Sequence, residues 1–225
     1  MADSKTVNST AYDSLAAWYL QWTTSTPSPR QRYIRSLLSL VRSRPHILEL
    51  GCGPGIPVLR LLLDEGCSVV ANDISSVQIG MARERCPTAT FVPGDMTRLD
   101  FEKESFDGAI CFFAIFHLPR GEQKGMLRRI FDWIRPGGVF VVNFATVDEE
   151  EIHGEMMGRG MFWSSFGVEE SRGMLKEVGF EVVQCEEVVA GDGELEEGDP
   201  DYGTSFAWML ARKPGEMQST NAKGQ

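Results

Sequence analysis

The stretch Ile47-Leu-Glu-Leu-Gly-Cys-Gly-Pro-Gly55 constrains the fold of this chain more than any other. Ile47, Leu48 and Leu50 read as a short buried strand. Gly51, Gly53 and Gly55 let the main chain turn sharply and lie against a ligand with no Cβ in the way. The apolar residues Ile56, Leu59, Leu62 and Leu63 then recur at helical spacing, so the loop feeds a helix whose first amides face whatever the loop cradles. Strand, glycine loop and helix in that order form the mouth of a nucleotide-type site in a doubly wound α/β sheet.

Two details narrow the nucleotide. A dinucleotide fingerprint, G-x-G-x-x-G, puts its third glycine where this chain has Ile56; the glycines here follow G-x-G-x-G. Glu49, just ahead of the first glycine, would oppose a pyrophosphate and suits a ligand carrying an ammonium group. On these residues E-L-G-C-G-P-G resembles the first motif of the class I S-adenosylmethionine-dependent methyltransferases. The likeness runs from about Ala11 to Lys213. It implies a doubly wound, mostly parallel seven-stranded sheet with N-terminal lid helices, and S-adenosylmethionine as cofactor.

A chain of 225 residues suits one well-packed α/β domain and is short for two. Its formal charge of −10 argues against a nucleic-acid partner, whose phosphates demand a basic face. Five arginines lie from Arg30 to Arg44, but they flank Ile34, Leu37, Leu38 and Val41 at helical spacing and read as a solvated helix face. No apolar run approaches the ~20 residues of a membrane span, so no membrane partner is expected. The cysteines Cys52, Cys67, Cys86, Cys111 and Cys185 are scattered and form no C-x-x-C pair, which fits free thiols in a cytoplasmic setting. A monomer and a homodimer are both compatible with this composition.

The organisation follows from periodicity and breakers. Residues 1–45 read as a polar N-terminus followed by lid helices, with an aromatic-rich helix from Ala11 to Trp22, a break from Thr23, and Pro29 beginning the next helix. Residues 46–213 form the core. Strands are expected near 46–50, 68–72, 89–92, 107–113 and 139–144, and helices near 56–65, 76–85 and 122–135. A helix near 168–178 capped by Gly179, a strand near 180–187 and a last strand over Ser205–Ala211 complete it; the resemblance implies that this strand inserts antiparallel beside the fifth. Asp148–Glu151 reads as a solvated helix start, Gly191–Tyr202 as a solvated loop, and 214–225 as a disordered tail. No pair of acids with metal-ligand spacing accompanies Asn143, so no metal is expected.

Asp73 lies 22 residues beyond Gly51, the separation that sets a carboxylate beside a ribose, although an acid at a strand end also caps helices. Gly94-Asp95-Met96 resembles the family's adenine site, while Gly and Asp are equally ordinary turn formers. The resemblance implies cofactor contacts from Tyr12, Glu49, Gly51, Cys52, Gly53, Asp73, Ile74, Asp95, Met96 and Phe113, with Cys52 a small filler. The run Phe113-Ala-Ile-Phe-His-Leu-Pro-Arg120 resembles a segment of small-molecule methyltransferases and lacks the [D/N]-P-P-[Y/F] signature of enzymes acting on exocyclic amines of bases. His117 is the candidate general base, because imidazole titrates near neutrality, and has an alternative structural reading. His46 reads as structural, and His153 falls in a variable region. Tyr19, Trp22, Phe116, Phe162 and Trp163 are the candidate contacts to a small, largely apolar acceptor under a lid. The competing classes are a cofactor-binding protein without turnover and an NAD-dependent oxidoreductase.

Overall fold

A computed structural model describes residues 3–215, so nearly all of the expected C-terminal tail lies outside the described residues. In chain order the strands are β1 (His46–Leu50), β2 (Ser68–Asn72), β3 (Thr90–Phe91), β4 (Phe106–Cys111), β5 (Ile134–Ala145), β6 (Glu149–Met156), β7 (Arg159–Ser165), β8 (Glu181–Val189) and β9 (Ser205–Arg212). The helices are α1 (Ser4–Ser25), α2 (Arg30–Leu40), α3 (Val58–Asp64), α4 (Ser76–Arg85), α5 (Arg120–Trp133) and α6 (Val168–Val178). Seven strands form one sheet in the order β3-β2-β1-β4-β5-β9-β8. β1 to β5 run parallel, and β9 inserts antiparallel between β5 and β8, as the resemblance implied.

Every residue of β4 is buried, because helices cover both faces of the sheet centre and the strand needs no polar face there. β8, on the edge, alternates exposed and half-buried positions and turns Glu181 and Glu187 outward, which discourages pairing with another chain. The Tyr33 hydroxyl of α2 donates to the Trp208 carbonyl at 2.9 Å, tying this helix to β9. At the amino edge of the sheet the buried Asp107 receives Arg42 Nε and Arg135 Nη1, both at 2.9 Å, and the His46 main-chain N–H at 2.7 Å. His46 is structural, its ring Nδ1 lying 3.1 Å from the Ser105 carbonyl. Among the described residues no helix is long and apolar enough to cross a membrane, and no three His, Cys, Asp or Glu side chains converge as a metal set.

Several expectations are corrected. The polar start is helical: α1 begins at Ser4, capped by the Asp3 carboxylate on the Lys5 N–H, and buries Asn8. α1 also forms a separate small apolar cluster with Ala11, Leu15, Met156 and Met161. The acid run 148–151 starts no helix. It enters β6, which pairs antiparallel with β7 through a tight turn whose residues Met157 and Gly158 are both left-handed (φ 50° and 70°). Such a turn matches strand twist and closes hairpins. The expected strand 107–113 stops at Cys111, where the chain turns into the site, and β5 starts at Ile134 because its first residues already pair with Phe106. Arg30 is not on a solvated face; it is buried at the start of α2. The Gly191–Tyr202 loop is largely exposed as expected, but it makes a turn of helix over Ala190–Gly193 and is tied to α1 by Asp199.

Candidate active site

The strand order reverses between β1 and β4, and the crevice beyond their carboxyl ends is where open α/β sheets bind ligands. The glycine loop leaves β1 into this crevice with Gly51, Gly53 and Gly55 at φ 73°, 55° and 85°. The Asn72 carbonyl accepts the N–H groups of Gly51 and Cys52 at 2.8 and 2.9 Å. Its side-chain amide donates to the carbonyls of Val92 and Gly94 at 2.7 and 2.8 Å, so one residue sets both the β1 and β3 loops. Beside it, Asp73 accepts the Gly53 N–H on Oδ2 (2.8 Å) and the Ser75 N–H on Oδ1 (2.9 Å). Each carboxylate oxygen keeps a further lone pair, enough for two vicinal hydroxyls. Burial raises the Asp73 pKa to about 6 against these hydrogen bonds.

Glu49 is 3% exposed, and its Oε2 has no partner among the described residues. Burial pushes its carboxyl well above the usual range, the Asp73 charge adds to this, and Arg30 opposes it. It faces a small cavity behind the glycine loop, shared with Tyr19, Arg30 and Cys52. The Arg30 guanidinium lies over the Phe113 ring, 4.2 Å from its centroid. Burial holds the Cys52 thiol well above its ordinary pKa, so this residue fills space and is no nucleophile. An unpartnered buried carboxylate in a dry recess is complementary to a cation.

Ile74, Asp95, Met96 and Phe113 line the main crevice with Gly51, Gly53 and Asp73. Asp95 serves both readings at once. Its Oδ1 caps a turn by accepting the Thr97 N–H (2.9 Å) and hydroxyl (2.8 Å), while Oδ2 receives Lys5 Nζ at 2.9 Å. Although burial opposes it, these hydrogen bonds hold the Asp95 carboxyl below its usual range. Lys5 also reaches Glu122, so α1 is fastened over the Asp95 end of the crevice. Asp13 fastens it a second time by accepting the Ser75 hydroxyl at 2.6 Å and the Val77 N–H at 3.1 Å. With α1 closed the crevice holds about 70 Å³ of free space. Small-molecule pockets usually offer roughly 300 Å³ or more, so a nucleoside-sized occupant needs more room than this arrangement leaves.

At the end of β4 the main chain of Phe113 is left-handed (φ 54°), held by the Asn143 Oδ1 on its N–H at 2.7 Å. Such strain in a non-glycine residue concentrates at ligand sites. His117 follows, with Nδ1 3.1 Å from the Phe162 carbonyl and Nε2 2.9 Å from the Tyr12 hydroxyl. Nδ1 also lies 3.2 Å from the Asn8 amide nitrogen; with Nδ1 donating to the Phe162 carbonyl, which only accepts, Nε2 is the nitrogen that accepts from Tyr12. Burial lowers the His117 pKa to about 4, the Phe162 bond opposing it. Burial likewise pushes the Tyr12 phenol well above its ordinary value, aided by Tyr19, Asp73 and Asp201.

Tyr12, Tyr19, Phe113 and His117 stand between the main crevice and a second cavity of about 290 Å³. Trp22, Phe116 and Trp163 line that cavity, as expected. The Phe162 side chain does not: its ring sits against His153 (centroids 5.5 Å apart), an exposed residue on β6. Phe162 contributes main chain instead, exchanging hydrogen bonds with the Asn8 amide (N–H to Oδ1 2.8 Å, Nδ2 to carbonyl 2.9 Å). Reading the sequence missed Lys5, Asn8, Arg30, Asn72 and Asp201, and placed Asn143 without a role.

Residues 47–138 match the model of a methyltransferase domain family. The sterol 24-C-methyltransferase of Saccharomyces cerevisiae is 27% identical over 164 residues, covering 66% of this chain and 42% of that one. The sterol 24-C-methyltransferase of Debaryomyces hansenii is 30% identical over 159 residues, covering 60% and 40%. This chain thus spans less than half the length of these curated relatives. Among solved structures, the 1,6-didemethyltoxoflavin-N1-methyltransferase of Burkholderia thailandensis has a TM-score of 0.71 at 20% identity, covering 95% of this chain and 92% of that one. A cyclase of the 4+2 type, SpnF, has a TM-score of 0.69 at 19% identity, covering 95% and 98%. At such identities the likeness is one of fold.

Proposed function

We propose that this chain, whose residues 47–138 match a methyltransferase domain family, is a class I S-adenosylmethionine-dependent methyltransferase that moves a methyl group to an oxygen or nitrogen of a small, largely apolar molecule. The observation that carries the reading is Glu49, a buried carboxylate without a partner, in a recess that adjoins the crevice of Asp73 and Asp95 across Gly51 and Gly53. S-adenosylmethionine supplies a methyl already activated by the positive sulfur that holds it. Glu49 binds its ammonium, and Asp73 accepts from both ribose hydroxyls. Ile74 and Met96 hold the adenine ring, and Asp95 takes its amine while sharing its carboxylate with Lys5. The toxoflavin enzyme, whose structure contains S-adenosylhomocysteine, supports this assignment of the crevice. A thermal-shift comparison tests it: S-adenosylhomocysteine is expected to protect the protein and NAD not to. Protection by NAD alone would remove the methyltransferase reading.

The acids set the pH dependence of binding. Asp73 has a pKa raised to about 6 in the ligand-free protein, and donors from a bound ribose favour its charged form. Its pKa therefore falls on binding, and affinity is full above that value and declines as pH drops through it. Calorimetry with S-adenosylhomocysteine between about pH 5 and pH 8 should show this fall. A flat profile would put the ribose elsewhere.

Methyl transfer to a hydroxyl or an N–H releases a proton. Tyr12 and His117 together support its removal: the acceptor proton passes to the Tyr12 oxygen as the Tyr12 proton passes to His117 Nε2, already 2.9 Å away. His117→Ala is expected to lower turnover about 10²- to 10⁴-fold, the usual range for a lost general base, with little change in cofactor affinity. Tyr12→Phe should do the same to turnover. Unchanged turnover in either variant removes that residue from the proton path.

A further inference from the structure

Asp201 brings charge into the second cavity, where the sequence reading expected aromatic and apolar walls alone. The segment between β8 and β9 folds over the end of α1 and is pinned by the Trp22 indole N–H on Asp199 Oδ2 at 2.9 Å. Asp199 Oδ1 accepts the Asp201 main-chain N–H at 2.9 Å, and the Asp201 carbonyl accepts the Thr204 N–H at 2.9 Å. The turn is thus built from the Asp199 carboxylate and the Asp201 main chain. The Asp201 carboxylate takes no part in it, and among the described residues it has neither a hydrogen-bond nor an ion-pair partner. A turn former alone would not require an acid here.

The surroundings fix the sign of what this carboxylate meets. No lysine or arginine lines the cavity. Its other charged residue is Glu155, exposed on β6 at the rim. His117 is neutral, with its free nitrogen already accepting from Tyr12. Arg30 lines the recess behind the glycine loop, not this cavity, and its guanidinium is seated on the Phe113 ring. Tyr12, Tyr19, Trp22 and Trp163 add π faces, which attract cations. Burial, with the neighbouring Asp199, raises the Asp201 pKa to about 6 while Arg30 opposes the shift, so the group is still mostly ionised at neutral pH. The free volume of about 290 Å³ matches the low end of small-molecule pockets, roughly 300 Å³.

We propose that the second cavity selects a flat aromatic or alicyclic acceptor bearing a basic, protonated nitrogen, which docks on Asp201, and rejects acceptors bearing a carboxylate. Calling the occupant an acceptor rests on the methyltransferase reading; the cavity's preference for an amine does not. Asp201 is then a specificity-determining residue that orients the acceptor at the wall formed by Tyr12 and His117.

The test uses matched probes on the full chain with and without S-adenosylhomocysteine. Tryptamine, tryptophol and indole-3-propionate share one skeleton and differ in an ammonium, a hydroxyl and a carboxylate; the corresponding naphthyl set repeats the comparison. Trp22 and Trp163 in the cavity wall provide a fluorescence readout, with calorimetry as the second. In each set the amine should bind about tenfold tighter than the alcohol, the lower range for a hydrogen bond to a charged group, with the carboxylate weakest. Asp201→Asn, close in size and leaving the main-chain turn in place, should erase the amine's advantage. Amines that bind no better than the alcohols, carboxylates that bind best, or an amine preference that survives Asp201→Asn would each overturn the proposal. If S-adenosylhomocysteine binds while the amine preference is missing, this inference fails alone. If the preference holds while S-adenosylhomocysteine does not bind, the methyltransferase reading fails and the amine site stands.

Discussion

Glutamine in place of Glu49 is expected to raise the melting temperature of the ligand-free protein and to weaken S-adenosylhomocysteine binding by about a hundredfold, the equivalent of about 3 kcal/mol for a buried charge pair losing one member. Both effects have one cause. Glu49 is 3% exposed with Oε2 unpartnered, and burial foremost, then Asp73, lifts its pKa well above the ordinary 4.5. An acid whose pKa is raised by folding makes the folded state less stable as pH climbs from its unfolded value toward its folded one. The ligand-free protein carries a penalty that grows until the pH passes the folded value, and a bound ammonium relieves it. A neutral amide of the same shape removes the penalty and the attraction together. The wild-type melting temperature should therefore fall more steeply than the variant's as pH rises from about 4.5 toward 8. Melting curves across this range and calorimetry decide it. A variant that melts lower and binds as tightly as wild type would show that Glu49 is a structural acid.

Gly51→Ala is expected to destabilise the fold by about 3 kcal/mol, the sum of a left-handed residue acquiring a Cβ and an overpacked contact. The residue stands at φ 73°, and its Cβ would lie 2.6 Å from the Ala114 Cβ in the loop after β4. Neither side can retreat. The glycine loop is fixed by the Asn72 carbonyl, and the loop after β4 holds the strained Phe113 on Asn143. Gly53→Ala is the comparison. Its φ is 55°, but a Cβ there meets nothing nearer than Tyr19 Cε1 at 3.4 Å, so the cost should stay near the ~1–2 kcal/mol of the backbone term. Urea unfolding of the two variants measures the difference. Equal losses would mean that the approach of the β1 and β4 loops is not what requires glycine at position 51.

The parts of this protein that could be read from its residues are those whose signal is local. The apolar strands, the helices at 3.6-residue spacing, the glycine loop and the strand-end Asp73 carry their pattern within a few positions, and they lie where expected apart from the ends of β4 and β5. The misses are tertiary. Ser4–Thr10 has no apolar stripe, and it is helical because Lys5 and Asn8 find partners at Asp95, Glu122 and Phe162. The β6–β7 hairpin lacks an Asn-Gly turn and opens with acids that favour strands poorly. Arg30 shares its spacing with solvated arginines, and only the end of a helix meeting the site turns it inward. Phe162 acts through its amide and carbonyl, which no side-chain reading reveals. Asp201 sits in an acidic, glycine-rich run that looks featureless until Trp22 bonds Asp199 and the run closes over α1.

That first helix has a further consequence. It brings Lys5 onto Asp95 at one end of the crevice and Tyr12 onto His117 at the other, held by these polar fastenings and by the apolar cluster of Ala11, Leu15, Met156 and Met161. Displacing it would undo both ends together. One element thus carries both the Lys5–Asp95 clasp and the Tyr12–His117 partition between the two chambers.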